Sequence, residues 1–163
     1  MGVYTGTVPT FLAGELPDAD KFTEISNFMT AAATAWTTWS PTLTNLTLGN
    51  GTTSARYRQL GKTIDYRFKF VLGSTSAVGT LPNFTLPAAQ HSQYIDNVDH
   101  IGDTTHTNSG TAQYRGIVVL ITGNKGQISS YGTTGLEITT TATVPFTWGT
   151  ADSIECWGTY EAA

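Results

Sequence analysis

Charge and cysteine are what this sequence has least of. Asp, Glu, Lys and Arg make up 12% of its 163 residues, roughly half the usual share in soluble proteins. Eight basic residues stand against twelve acidic ones, for a net charge of −4. That excludes a broad basic face of the kind that binds nucleic acid without regard to sequence. The single cysteine, Cys156, excludes an internal disulfide framework and any multi-cysteine zinc site. No apolar run approaches the ~20 residues of a membrane-spanning helix, so a membrane is not an expected partner. The opening residues show neither the basic nor the apolar region of a secretory leader, and none is expected.

Catalytic signatures are equally scarce. The sequence holds no Gly-x-Ser-x-Gly elbow, P-loop, dinucleotide fingerprint or His-Glu-x-x-His pair. Cys156 lies in an alternating stretch, in phase with Ile154 and Tyr160, where it reads as a small core residue. His91, His100 and His106 fall close to Asp96, Asp99 and Asp103 in sequence, but their spacing matches no metal loop. A solvated polar loop is the first reading, and no metal or cofactor is assigned; the alternative is a metal or anion site where one histidine from each chain meets on an oligomer axis. Three Asn-x-Thr matches, at Asn45, Asn50 and Asn83, are incidental in a chain this rich in threonine.

What is abundant is threonine, 31 residues, with 17 glycines. That mixture favours short strands and tight turns. After Pro41 the apolar period is two. Leu46 and Leu48 alternate with threonines, and Gly49-Asn50-Gly51 reads as a hairpin turn. Thr52 to Leu60 follows. Then comes the clearest strand, with Ile64, Tyr66, Phe68, Phe70 and Leu72 on one face and Asp65, Arg67 and Lys69 on the other. Gly73 to Thr80 reads as a loop and Asn83 to Leu86 as a short strand. Ala88 to Ser109 is the least regular and most polar stretch. Thr111 to Thr122, apolar on both faces, reads as a central strand. Gln127 to Tyr131, Leu136 to Thr143, Val144 to Trp148 and Ser153 to Tyr160 complete about eight strands. The fold class expected is mainly β, an antiparallel β-sandwich or jelly-roll-like domain.

Before Pro41 the character differs. Residues 1–17 are irregular, broken by Pro9 and Pro17, and need a partner surface; Val8, Phe11 and Leu12 are the candidate docking residues of this arm. Asp18 is an N-cap, with Asp20 and Glu24 near the positive end of the helix dipole. Phe22, Ile25, Met29, Ala32, Trp36 and Trp39 then recur at spacings of three and four, a heptad seam stopped by Pro41. The stripe packs on its own β domain or forms a short parallel bundle with copies of itself. The 3.5-residue period favours the bundle, and these six residues are the expected oligomer interface. Residues 1–40 are thus assigned as arm and oligomerisation helix, and residues 41–163 as the β head.

The run Thr10-Phe11-Leu12-Ala13-Gly14-Glu15, with Asp18-Ala19 before the apolar helix, resembles the opening of tailed-bacteriophage tail and fibre proteins. Trp39 to Thr52, Ala55 to Thr63, Val144 to Trp148 and Gly158 to Ala163 are similar to small virion proteins of phages infecting actinobacteria, labelled minor tail proteins. The resemblance covers about two-thirds of the chain and is weakest from Tyr94 to Gly110. It implies a virion surface protein made in the host bacterial cytoplasm, commonly a homotrimer, with an N-terminal anchor and a β head. No catalytic residue comes with it. The functional expectation is a short tail fibre or adhesin contacting the host envelope. The alternative is a head fibre or capsid decoration protein whose arm binds the major capsid protein. A wall-directed hydrolase would need two positioned carboxylates, and only Asp96, Asp99 and Asp103 are dense enough to supply them. For an adhesin, the long polar stretch offers Tyr94, Asp99 and His100 as receptor contacts, with an envelope glycan as the partner.

Overall fold

The structure, a computed structural model, describes residues 18–32 and 36–163. The candidate docking residues Val8, Phe11 and Leu12 lie outside these. The fold is mainly β, as the alternation predicts, with one short helix among the described residues. Helix α1 spans Ala19–Ala32. Asp18 caps it, its Oδ1 accepting the Lys21 N–H at 2.9 Å. The helix is shorter than the seam predicts. Phe22, Ile25, Met29 and Ala32 lie on it, but Trp36 and Trp39 do not. Thr37–Thr38 is already strand β1, antiparallel to Tyr57 and Arg56. Here β-branched threonines take a sheet partner in place of a helical turn. Residues 36–40, assigned from sequence to the anchor, therefore belong to the β domain.

The other strands are β2 (Leu43–Thr47), β3 (Thr52–Leu60), β4 (Thr63–Val71), β5 (Ala77–Thr85), β6 (His100–Asn108), β7 (Ala112–Ile121), β8 (Lys125–Tyr131), β9 (Glu137–Thr139) and β10 (Ser153–Glu161). They form one curled antiparallel sheet in the order β1-β3-β4-β10-β6-β7-β8-β5-β2, with β9 added beside β8. Curling folds the sheet onto itself, giving a sandwich-like core. Phe68 of β4 stacks on Phe84 of β5 with ring centres 4.6 Å apart, although four strands separate β4 from β5 in the sheet order. Ile64, Tyr66, Phe68 and Phe70 are buried as expected, and Arg67 and Lys69 are exposed. β7 lies between β6 and β8, with Ile117 through Leu120 all buried.

The ends of the sheet, β1 and β2, are neighbours in sequence, and the short link between them closes the curl. The Trp39 N–H donates to the Ala55 carbonyl at 3.1 Å, and its indole Nε1 donates to the Thr85 carbonyl at 3.2 Å. The Thr42 N–H reaches Thr85 Oγ1 at 2.9 Å. Residues 39–42 thus lie outside any helix, and Trp39 packs edge-on against Tyr57 and Tyr66.

Several sequence expectations are corrected. Gly49-Asn50-Gly51 joins no hairpin, because β2 pairs with β5 and β3 with β4. The turn instead crosses from β2 at one end of the sheet order to β3, one strand in from the other end, and Asn50 ties it to Ser74 and Thr75. The Gly73–Thr80 loop ends early, since β5 begins at Ala77. Gly79 and Pro82 hide this strand by interrupting its pattern. Val144 to Trp148 forms no strand; Phe146 and Trp148 pack there as a covering segment, ring centres 4.4 Å apart. The largest correction is β6, a nine-residue strand inside the stretch read as irregular.

Candidate functional site

Of the expected receptor contacts, Tyr94 and Asp99 are engaged in holding the fold. The Tyr94 hydroxyl accepts the Glu161 N–H at 2.9 Å, and the ring packs against the core. Asp99 Oδ2 accepts the Ile95 N–H at 2.6 Å, while its carbonyl accepts the Leu120 N–H at 2.9 Å. His100 is exposed at the start of β6, with Nε2 4.0 Å from a Glu137 carboxylate oxygen. Asp99 and His100 are adjacent along the chain, but the partners of their side chains differ, the Ile95 N–H for Asp99 and Glu137 for His100. The His/Asp cluster is dispersed as well, and among the described residues no group of three metal-ligating side chains forms.

His106 faces the core. It is fully buried. Its Nδ1 lies 3.1 Å from Ser130 Oγ, which is 2.7 Å from Thr140 Oγ1. Trp148 covers the ring edge-on at 5.5 Å. Nε2 has no hydrogen-bond partner among the described residues, and burial pushes the imidazole pKa down to about 4. The pairing of a serine hydroxyl with a histidine has the form of a nucleophile and its base. Ser130 and His106 are both 0% exposed, so no substrate reaches the hydroxyl in this arrangement. Cys156 is buried too, and desolvation pushes its thiol up to about 12, which removes thiolate chemistry near neutral pH.

On α1, Phe22 and Met29 are 60% and 65% exposed, and Ile25 is partly exposed. Phe22 and Met29 therefore do not pack on the β domain, whereas Trp36 and Trp39 of the same stripe do. Single exposed apolar residues are ordinary; three at seam spacing on one short helix leave a face without a partner.

A feature missed in the sequence lies on the outer face of β3, β4 and β10. Arg56 stands directly opposite Arg67 across β3 and β4, and Arg67 opposite Trp157 of β10. Trp36 lies over the arginines, with the guanidinium carbons of Arg56, Arg58 and Arg67 at 5.5, 5.5 and 5.4 Å from its ring centre. Arg58 pairs with Asp65 at 2.8 Å. The Thr159 hydroxyl bond first, and then Arg58, hold the Asp65 carboxyl below its usual range. Lys69 pairs with Glu155 at 2.6 Å. Among the described residues Arg56 and Arg67 have no carboxylate partner. Like charges directly opposite are destabilising by roughly 0.2–1 kcal/mol, and an exposed cation–π contact returns about the same. Beside the pair opens a cleft of about 470 Å³, lined by Ser54, Arg56, Arg67, Lys69, Glu155 and Trp157. Four of the eight basic residues gather on β3 and β4. The alternation of the two strands carries that signal, but it needs their register, which places Arg56 beside Arg67.

Compared with protein-family models, curated proteins and solved structures, the chain matches none.

Proposed function

We propose that this chain is a structural virion surface protein of a tailed bacteriophage, a short homotrimeric tail fibre or adhesin whose β head meets the host envelope. The observation that carries this reading is the exposure of Phe22 and Met29, with half-buried Ile25 between them at seam spacing, on one face of α1. A helix this short is marginal alone in water, and copies of itself supply the matching seam. The resemblance of the opening residues to tail and fibre proteins supports the virion setting, and supports the arm around Val8, Phe11 and Leu12 as the part that docks on other phage proteins.

Ile25→Asp with Met29→Asp puts repelling carboxylates in the seam, so the double variant is expected to run as a monomer in light scattering. A trimer unchanged by both charges overturns the bundle. Copy number separates this reading from capsid decoration: a handful of chains per particle is expected for a tail fibre, whereas hundreds would place it on the head.

A further inference from the structure

The arginine pair on the outer face has a chemistry that trimerisation does not use. Arg56 and Arg67 present two guanidinium groups side by side, each with donors in a planar fork suited to a pair of oxyanion oxygens. Trp157 lies next in the same row and lines the cleft, where it offers an aromatic surface. The surroundings of the pair select among anions. Asp65 and Glu155 occupy the neighbouring rows of the sheet, and Asp103 stands opposite Trp157. A chain of closely spaced phosphates would meet those carboxylates, and the whole protein is acidic. A ligand with one anionic group among many hydroxyls meets far less of that repulsion. Its hydroxyls donate to Glu155 and exchange hydrogen bonds with Ser54, while the apolar face of a sugar ring covers Trp157.

We propose that the cleft bounded by Arg56, Arg67 and Trp157 binds an acidic saccharide, with a single carboxylate or phosphate group held between the two arginines and the sugar ring against the indole. This deepens the reading of the β domain as the part that meets the host envelope, and moves the contact from Tyr94, Asp99 and His100 to the opposite chemistry on β3, β4 and β10. The site is built within one chain, so it does not depend on the helix.

Titration of the full chain, followed by tryptophan fluorescence and by amide chemical shifts, tests this. Sialyllactose carries one carboxylate on neutral sugars, and glucose 6-phosphate carries the phosphate alternative; lactose and an oligothymidylate are the neutral and polyanionic controls. At least one acidic sugar is expected to bind tenfold or more tightly than lactose, shifting amides of β3, β4 and β10, and which of the two binds identifies the oxyanion. Arg56→Gln with Arg67→Gln is expected to weaken that binding at least tenfold, and Trp157→Ala likewise, with the thermal midpoint of the arginine variant unchanged or raised. The milder Arg67→Lys, which keeps charge but not the fork, is expected to lose part of the affinity. Ile25→Asp with Met29→Asp is expected to keep the affinity per chain, so failure of the trimer and failure of the sugar site read out separately. Equal binding of lactose and both acidic sugars overturns the proposal, as does full affinity in the double arginine variant. Tighter binding of oligothymidylate assigns the face to nucleic acid instead. A double arginine variant that changes oligomeric state and binds no sugar in either form assigns it to the acidic first turn of α1 from a second copy.

Discussion

At the scale of single residues, His106 carries the clearest consequence. The folded protein holds it neutral at a pKa of about 4, whereas an unfolded chain takes up a proton near pH 6.5. Between these values the unfolded state binds one more proton, so stability rises with pH across that window and is lost as pH falls through it. The loss by pH 4 is about 3 kcal/mol. His106→Gln keeps a hydrogen-bonding side chain but no titration. Urea unfolding from pH 4 to 7 is expected to show a slope smaller by about one proton in the variant. An unchanged slope would mean that His106 is protonated in the fold. The same residue explains why its strand is illegible in the sequence. The inward positions of β6 include Thr104 and His106, both fully buried, and His106 is satisfied in part by Ser130. Hydrogen bonding rather than apolar character places them inside, and a hydrophobic period does not register that.

At the scale of elements, legibility follows the purity of the pattern. β4 alternates without a break and is legible down to its faces; β7, apolar throughout, is legible as central. β5 reads too short because Gly79 and Pro82 fall within it and Leu81 adopts a left-handed φ of 54°. α1 is legible with its cap but reads too long, because Trp36 and Trp39 keep the seam spacing while serving the sheet. Those indoles are apolar residues in the right places for two different structures, and only long-range pairing with β3 decides between them. The basic pair at Arg56 and Arg67 is hidden for the same reason. Trp39 offers the measurement. It bonds β3 and β5 and packs on two tyrosines, so Trp39→Ala is expected to remove about 3 kcal/mol, a fall of about 10 °C in thermal midpoint. If Trp39 instead served a helix seam, the variant would lose oligomers and keep its midpoint.

At the scale of the molecule, the β domain is a sheet whose ends are joined by the stretch from Trp36 to Thr47. A chain beginning at Trp36 keeps every strand and is expected to fold as a monomer. One beginning at Leu43 loses β1 and the Trp39 link, leaving the β3 and β5 ends unjoined, and is expected to melt at least as far below it as Trp39→Ala does below the full protein. Comparable melting of the two, by circular dichroism, would show that the link is dispensable. The position of β10 has a further consequence, for synthesis. This strand follows all the others along the chain yet lies between β4 and β6, paired with β4 from Ser153 to Glu161 and with β6 from Ser153 to Trp157. On the ribosome, every earlier strand is made before the two it joins can be brought together. Until Ser153 to Glu161 emerge, β4 and β6 each present an unpaired edge, the kind of surface that recruits strands from other chains. Nascent copies made side by side on one message are therefore exposed to mispairing until the last strand arrives, and a stop before residue 153 leaves both edges open for good.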